Sequence, residues 1–129
     1  MAKYEFKDGY FYAESHEWVK VEDDIALVGI SDYAQGEMGD LVYAEGEPEG
    51  EEVEKGDAVG SIESVKMATD IYAPVDGEII ESNEDIQDTP EEINEKPFDT
   101  WIVKIKMSNP DQVNELMDAA AYEKFCDEE

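Results

Sequence analysis

The chain has one histidine, His16, one cysteine, Cys126, and no glycine-rich segment of the kind that cradles phosphate. Enzymes of the common types need a nucleophile beside a base, a metal cluster or a cofactor loop. A His16/Cys126 thiol pair is conceivable, but nothing in the sequence supplies a third group to orient it, and Cys126 reads more simply as a packed or idle thiol on a last helical turn. With 36 Asp and Glu among 129 residues, any two carboxylates lie close by chance, so a glycosidase-like pair carries no information. No segment alternates Asp and Asn about a central glycine as a calcium loop does. These residues therefore point away from an enzyme. One lysine stands apart: Lys66, in Glu63-Ser64-Val65-Lys66-Met67-Ala68-Thr69-Asp70, falls between two strand-forming runs, where a tight reversal puts it at a hairpin tip. A tip lysine can project its amine into a modifying enzyme that grips the backbone on both sides. From the residues alone an ordinary solvated turn lysine is the plainer reading.

The elements that must position this lysine are short. Strand-forming runs cover Ile25 to Ile30, Leu41 to Ala44, Ala58 to Ser64, Met67 to Ala73, Gly77 to Glu81 and Trp101 to Met107. Turn signals separate them at Glu22-Asp23-Asp24, Gly46 to Gly50, Lys55-Gly56-Asp57 and Pro74-Val75-Asp76-Gly77. A Gly-acid-apolar pattern recurs at Gly39, Gly56 and Gly77, as internal pseudo-symmetry would produce. The pattern predicts a small antiparallel β assembly in one domain. Ser31 is the expected N-cap of a short helix from Asp32 to about Met38, ended by Gly39. A second helix is expected after Ser108 or Asn109, opened by Pro110 and carrying Val113, Leu116, Met117 and Ala120 on its apolar face. The stretch from Ile86 to Thr100, with Pro90 and Pro97, reads as a long surface loop.

The net charge is −27, from nine lysines, no arginine and 36 acids spread along the whole chain. Acid on every exposed stretch reads as adaptation to high salt, with a localised docking patch for a basic partner as the alternative. Nucleic acid is excluded as a partner, because phosphate binding needs clustered Lys or Arg. An anionic membrane surface is excluded on the same ground. No apolar run approaches the ~20 residues of a spanning helix, and Met1-Ala2-Lys3-Tyr4-Glu5 has neither signal-peptide nor transit-peptide character. A cytoplasmic location is expected, and the single cysteine is consistent with a reducing compartment.

Glu63-Ser64-Val65-Lys66 with Ala68-Thr69-Asp70 resembles the lipoylation motif of glycine cleavage system H-proteins. Other blocks follow in the family's order: Ser15-His16-Glu17-Trp18-Val19, then Gly29-Ile30-Ser31-Asp32-Tyr33-Ala34-Gln35, then Gly39-Asp40-Leu41-Val42-Tyr43. Downstream come Ala73-Pro74-Val75-Asp76-Gly77, Ile93-Asn94, Pro97-Phe98, Trp101 to Ile105 and Ala121 to Phe125. Their joint occurrence over roughly residues 10 to 126 is more specific than any single motif.

The resemblance implies a mainly β barrel-sandwich hybrid of two antiparallel sheets with short peripheral helices. It would span residues 1–129 as one lipoyl-carrier domain, with a helical segment at 109–126 packed on the β core. It implies lipoic acid bound covalently at Lys66, flanked by Glu63, Ser64, Val65, Met67 and Asp70, and an arm-docking groove at Ser15, Glu17 and Ile30 together with Asp70. The expected partners are a lipoyl-attaching enzyme, the pyridoxal-phosphate glycine decarboxylase, the folate-dependent aminomethyltransferase and dihydrolipoyl dehydrogenase. The chain, expected as a monomer, would shuttle between them while the cofactor performs the chemistry.

Met67 stands where the family commonly has alanine, a feature shared with biotin carriers. A biotinyl carrier of a carboxylase is therefore the first alternative, although Val65 and the Ser15 to Trp18 block depart from it. A lipoate-relay protein of H-protein shape is the second. Glu45-Gly46-Glu47-Pro48 replaces the family's Leu-Pro stretch, and Pro97 to Trp101 is one residue short.

Overall fold

The alternation Glu17, Val19, Val21 against Trp18, Lys20, Glu22 dictates a strand with two different faces. The computed structural model, which describes residues 4–128, places it so. Residues 1–3, part of the opening segment read for a leader, and the last acid, Glu129, lie outside that range. The described residues form nine strands: β1 (Phe11–Tyr12), β2 (Glu17–Glu22), β3 (Ile25–Ile30), β4 (Leu41–Gly46), β5 (Glu52–Val53), β6 (Ala58–Ser64), β7 (Ala68–Tyr72), β8 (Gly77–Ser82) and β9 (Val103–Met107). The helices are α1 (Asp32–Met38), α2 (Asp85–Asp88), α3 (Glu91–Glu95) and α4 (Ala119–Asp127).

Two antiparallel sheets result, one of six strands in the order β1-β2-β3-β9-β8-β5 and one of three in the order β4-β6-β7. The main core lies between them and draws Val19 from β2, Ala26, Val28 and Ile30 from β3, Ile62 from β6, Ile71 from β7, and Val103 and Ile105 from β9. The other face of the large sheet carries an aromatic cluster of Tyr10, Tyr12, Trp18, Phe98 and Tyr122 under α4. Trp18 pairs with Gly29 across β2 and β3, and a Cβ on Gly29 would stand 2.5 Å from the indole ring. Only glycine lets that ring lie flat on β3 while its Nε1–H donates to Pro97 O at 2.8 Å.

Ser31 caps α1 as expected, accepting from Ala34 N at 3.1 Å, and Gly39 ends the helix at φ +84°. The Gly-acid pairs at 39 and 56 directly precede β4 and β6, and the pair at 77 opens β8. Three of the strands, β1, β2 and β5, fall outside the runs picked out in the sequence, and the strand expected from Trp101 begins at Val103.

Two expectations are corrected. The stretch from Ile86 to Thr100 is not a plain surface loop: it contains most of α2 and all of α3, and Ile86, Ile93 and Phe98 are buried. One apolar residue per short helix, hidden among acids and prolines, leaves no periodic signal to read. The C-terminal helix is not continuous either. Pro110–Glu115 forms a 3-10 turn, Leu116 is extended, and Met117 exchanges backbone hydrogen bonds with Tyr12. Asp118 then caps a fresh helix, accepting from Ala121 N at 2.9 Å, so that α4 buries Ala119, Tyr122 and Cys126 while Ala120 faces solvent.

Candidate functional site

The β6–β7 hairpin turns on two residues, Val65 and Lys66. Ser64 N–H donates to Met67 O at 2.7 Å, and Ser64 Oγ accepts from the N–H groups of Lys66 and Met67, both at 3.1 Å. This serine therefore ties the turn with its side chain as well as its backbone. Val65 N–H donates to Asp40 O at 3.2 Å, and Lys66 Cε lies 3.3 Å from where a Cβ on Gly39 would stand. The tip thus leans on the α1–β4 junction. That junction is fixed by Asn94 of α3, which accepts from Leu41 N and donates to Gly39 O and Gln35 Oε1, each at 2.9 Å.

Below the tip is a cleft of about 410 Å³ between β2, β3, α1 and the β6–β7 hairpin. Its walls include Ser15, Glu17, Ile30, Met67 and Asp70, five of the residues singled out in the sequence. Glu17 and Ile30 are direct cross-strand partners. The remaining flanking residues go elsewhere: Glu63 is exposed and paired with Tyr43 and Ala68, and Val65 is 71% exposed; Lys66 itself does not line the cleft, but it lies between Val65 and the lining residue Met67, with its side chain against Gly39, next to the lining residue Met38. Sequence reasoning missed the wall formed by α1, with Tyr33, Ala34, Glu37 and Met38, and the inward residues Ile62, Thr69 and Ile71 of the hairpin. The helical spacing of Ala34, Glu37 and Met38 is a signal that could have found the first group.

Glu17 is 1% exposed, so it is not one of the chain's many solvated acids. Burial pushes its carboxyl up to about 7 against an ordinary 4.5, while hydrogen bonds from the Ser15 hydroxyl and from Tyr72 N–H (3.1 Å) pull the other way. Asp70 is exposed at the cleft's rim on β7. Ile30, Met38, Ile62 and Ile71 make part of the lining apolar, and the Ser15 hydroxyl and Tyr72 N–H donate to Glu17. An elongated ligand with a hydrocarbon stem and a cationic end fits such a lining. His16 Nδ1 is 2.7 Å from Tyr122 Oη, and Cys126 is buried on α4. Among the described residues no group of His, Cys, Asp and Glu is placed to hold a metal ion.

The glycine cleavage H-protein family profile matches residues 10–129. The chain belongs to that family. A probable glycine cleavage system H protein of Thermococcus gammatolerans is 52% identical over 129 residues, covering 98% of this chain and 96% of the relative. The glycine cleavage system H protein of Leptospira biflexa is 45% identical over 125 residues, covering 97% and 96%. The crystal structure of the H protein from Mycobacterium marinum superposes with a TM-score of 0.82 at 31% identity, over 90% of this chain and 94% of that one. As a glycine cleavage H-protein the chain is a lipoyl carrier and not itself a catalyst. The family bears lipoic acid on a lysine, which favours that cofactor over the biotin alternative. Its partners are glycine decarboxylase, the aminomethyltransferase and dihydrolipoyl dehydrogenase. No helix among the described residues is long and apolar enough to cross a membrane.

Proposed function

We propose that Lys66 is the lipoyl-bearing residue and that the cleft lined by Ser15, Glu17, Ile30 and Asp70 seats the arm. The observation that carries this reading is the exposed two-residue turn that bears Lys66 directly before Met67, a residue that lines that cleft. When bound, lipoic acid supplies a cyclic disulfide that takes up electrons and a one-carbon amine. The chain supplies presentation. Ser64 holds the tip so that the Lys66 amine projects, and Val65 and Met67 flank it as grip for the lipoyl-attaching enzyme. Ile30, Met38, Ile62 and Ile71 cover a hydrocarbon stem and exclude water. Glu17, oriented by Ser15 and Tyr72 N–H, and Asp70 at the rim offer counter-charge to an ammonium. We read residues 1–129 as one carrier domain, monomeric because a charge of −27 opposes self-association, and cytoplasmic.

Intact mass of protein from its native host is expected to show one lipoyl group, with peptide sequencing placing it on Lys66. Biotin on that residue, or a lipoyl group on another lysine, would overturn the assignment.

The acidity makes a separate prediction. Among the described residues, the surface pairs Lys20–Glu22 (3.6 Å), Lys55–Glu115 (3.0 Å) and Lys104–Glu81 (3.3 Å) engage three acids of a chain that has 36. Salt screens the rest, since the Debye length falls from about 10 Å at 0.1 M to about 3 Å at 1 M. The thermal unfolding midpoint should therefore rise from dilute buffer to molar potassium chloride. A flat midpoint would reject salt adaptation and leave a basic docking partner as the explanation for the charge.

A further inference from the structure

One hydroxyl on the C-terminal helix contacts a residue of the cleft wall and the cap of the helix that forms another part of that wall. Tyr122 Oη lies 2.7 Å from His16 Nδ1 and 2.6 Å from Ser31 Oγ. The tyrosine and Ser31 are almost wholly buried, and the phenol ring stacks on Tyr12 at 4.5 Å and 2°. On one side, His16 sits between Ser15 and Glu17 and has φ +79°, a left-handed backbone that a residue with a Cβ adopts at a cost. That conformation turns the chain between Ala13 and Glu17, where His16 N–H donates to Ala13 O and Ala13 N–H to Glu17 O, both at 2.9 Å. His16 O in turn accepts from Ser31 N–H at 3.0 Å. On the other side, Ser31 Oγ is the cap of α1, the helix that brings Glu37 and Met38 to the cleft.

We propose that Tyr122 is a positioning residue of the carrier site: its hydroxyl, held between His16 and Ser31, locks the left-handed turn that aims Ser15 and Glu17 into the cleft and fixes that turn against the cap of α1. The C-terminal helix is then part of the site's machinery although none of its residues lines the cleft. Without the hydroxyl, the His16 turn relaxes, α1 separates from β2 and water reaches the Glu17 carboxyl. Its functional meaning rests on the cleft being the seat of the arm, but its geometry does not.

The test uses the full, unmodified chain, so arm docking and Lys66 do not enter it. Tyr122→Phe keeps the ring and its stacking but removes the hydroxyl. The readout is the titration of the Glu17 side-chain carboxyl by carbon NMR, with the neighbouring titratable groups His16, Tyr33, Glu37, Asp70 and Tyr72 followed in the same spectra. The parent midpoint, near 7, is expected to fall by at least one unit in Tyr122→Phe as the carboxyl gains water. Ser31→Ala, which removes the other bond of the same hydroxyl, should shift it the same way. Ala120→Gly, an exposed change in the same helix that leaves the hydroxyl in place, serves as a control with an unmoved midpoint. If the midpoint stays at the parent's value in both Tyr122→Phe and Ser31→Ala, or moves equally in Ala120→Gly, the role is structural only and the proposal fails. The measurement involves neither Lys66 nor a docked arm, so its outcome stands or falls separately from the reading of the cleft as the seat of the arm.

Discussion

Arginine in place of Lys66 is expected to leave the chain folded and unable to support glycine decarboxylation. The substitution keeps the positive charge at the tip, and position 66 is exposed, so the unfolding free energy should change by no more than about 0.5 kcal/mol. The hairpin does not depend on the side chain either, since Ser64 makes the turn through the backbone of residues 66 and 67. A guanidinium, however, stays protonated across the usable pH range and offers no amine for acylation. Incubation with a lipoyl-attaching enzyme should therefore leave the intact mass unchanged, and carbon dioxide release from glycine by the host decarboxylase should fall to background. Lys55→Arg, a change at another exposed lysine, should leave both readouts at the parent's level. A lipoyl mass on the Lys66→Arg chain, or activity that survives in it, would move the attachment site elsewhere.

The parts of this site that are legible in the sequence are those set by local backbone chemistry. Ser31 before an acid and a terminating glycine marks α1, and Ser64 to Met67 between two β-rich runs marks the hairpin, because caps and two-residue turns are decided within a few residues. The charge of the site was harder to read. Among 36 acids, Glu17 carries no compositional distinction. Yet it alternates with Val19 and Val21, and that parity puts it on the core face of β2, where a carboxylate is unexpected unless something holds it. Parity, not residue type, was the available signal.

The C-terminal region failed for the opposite reason. Val113, Leu116, Met117 and Ala120 fit a helical stripe, but Met117 is drawn into a backbone bridge with Tyr12, a contact across more than 100 residues that no window on the sequence can contain. Asp118 restarts the helix with a shifted face, and the shift is what brings Tyr122 under the β2 turn. The same is true of α2 and α3. Each buries one isoleucine, and α3 matters to the site chiefly through Asn94, whose three hydrogen bonds are made to residues 53 to 59 positions away.

Glutamine in place of Glu17 should change stability in a way that depends on pH. The carboxyl has a folded-state value of about 7 against an ordinary 4.5, raised first by burial and lowered in part by Ser15 and the Tyr72 N–H. The folded chain therefore holds this proton more tightly than the unfolded chain. Its contribution to stability is complete below about 4.5, declines through the interval between the two values and is lost above 7. At about 1.4 kcal/mol per unit, the buried carboxylate costs about 3 kcal/mol of folding free energy at pH 8. Glutamine keeps the shape and the acceptor for Tyr72 N–H without the charge. The Glu17→Gln chain should thus match the parent near pH 4 and exceed it by about 3 kcal/mol at pH 8, measured by denaturant unfolding at fixed ionic strength so that the other acids cancel in the difference. A difference that stays constant from pH 4 to pH 8 would mean that Glu17 titrates as an ordinary solvated acid. A difference that grows as described would show that the folded chain retains a destabilising ionised group in its cleft near neutral pH. An ammonium seated against Glu17 would offset that cost, so binding of a cationic arm should recover part of the stability that glutamine gives the unmodified chain.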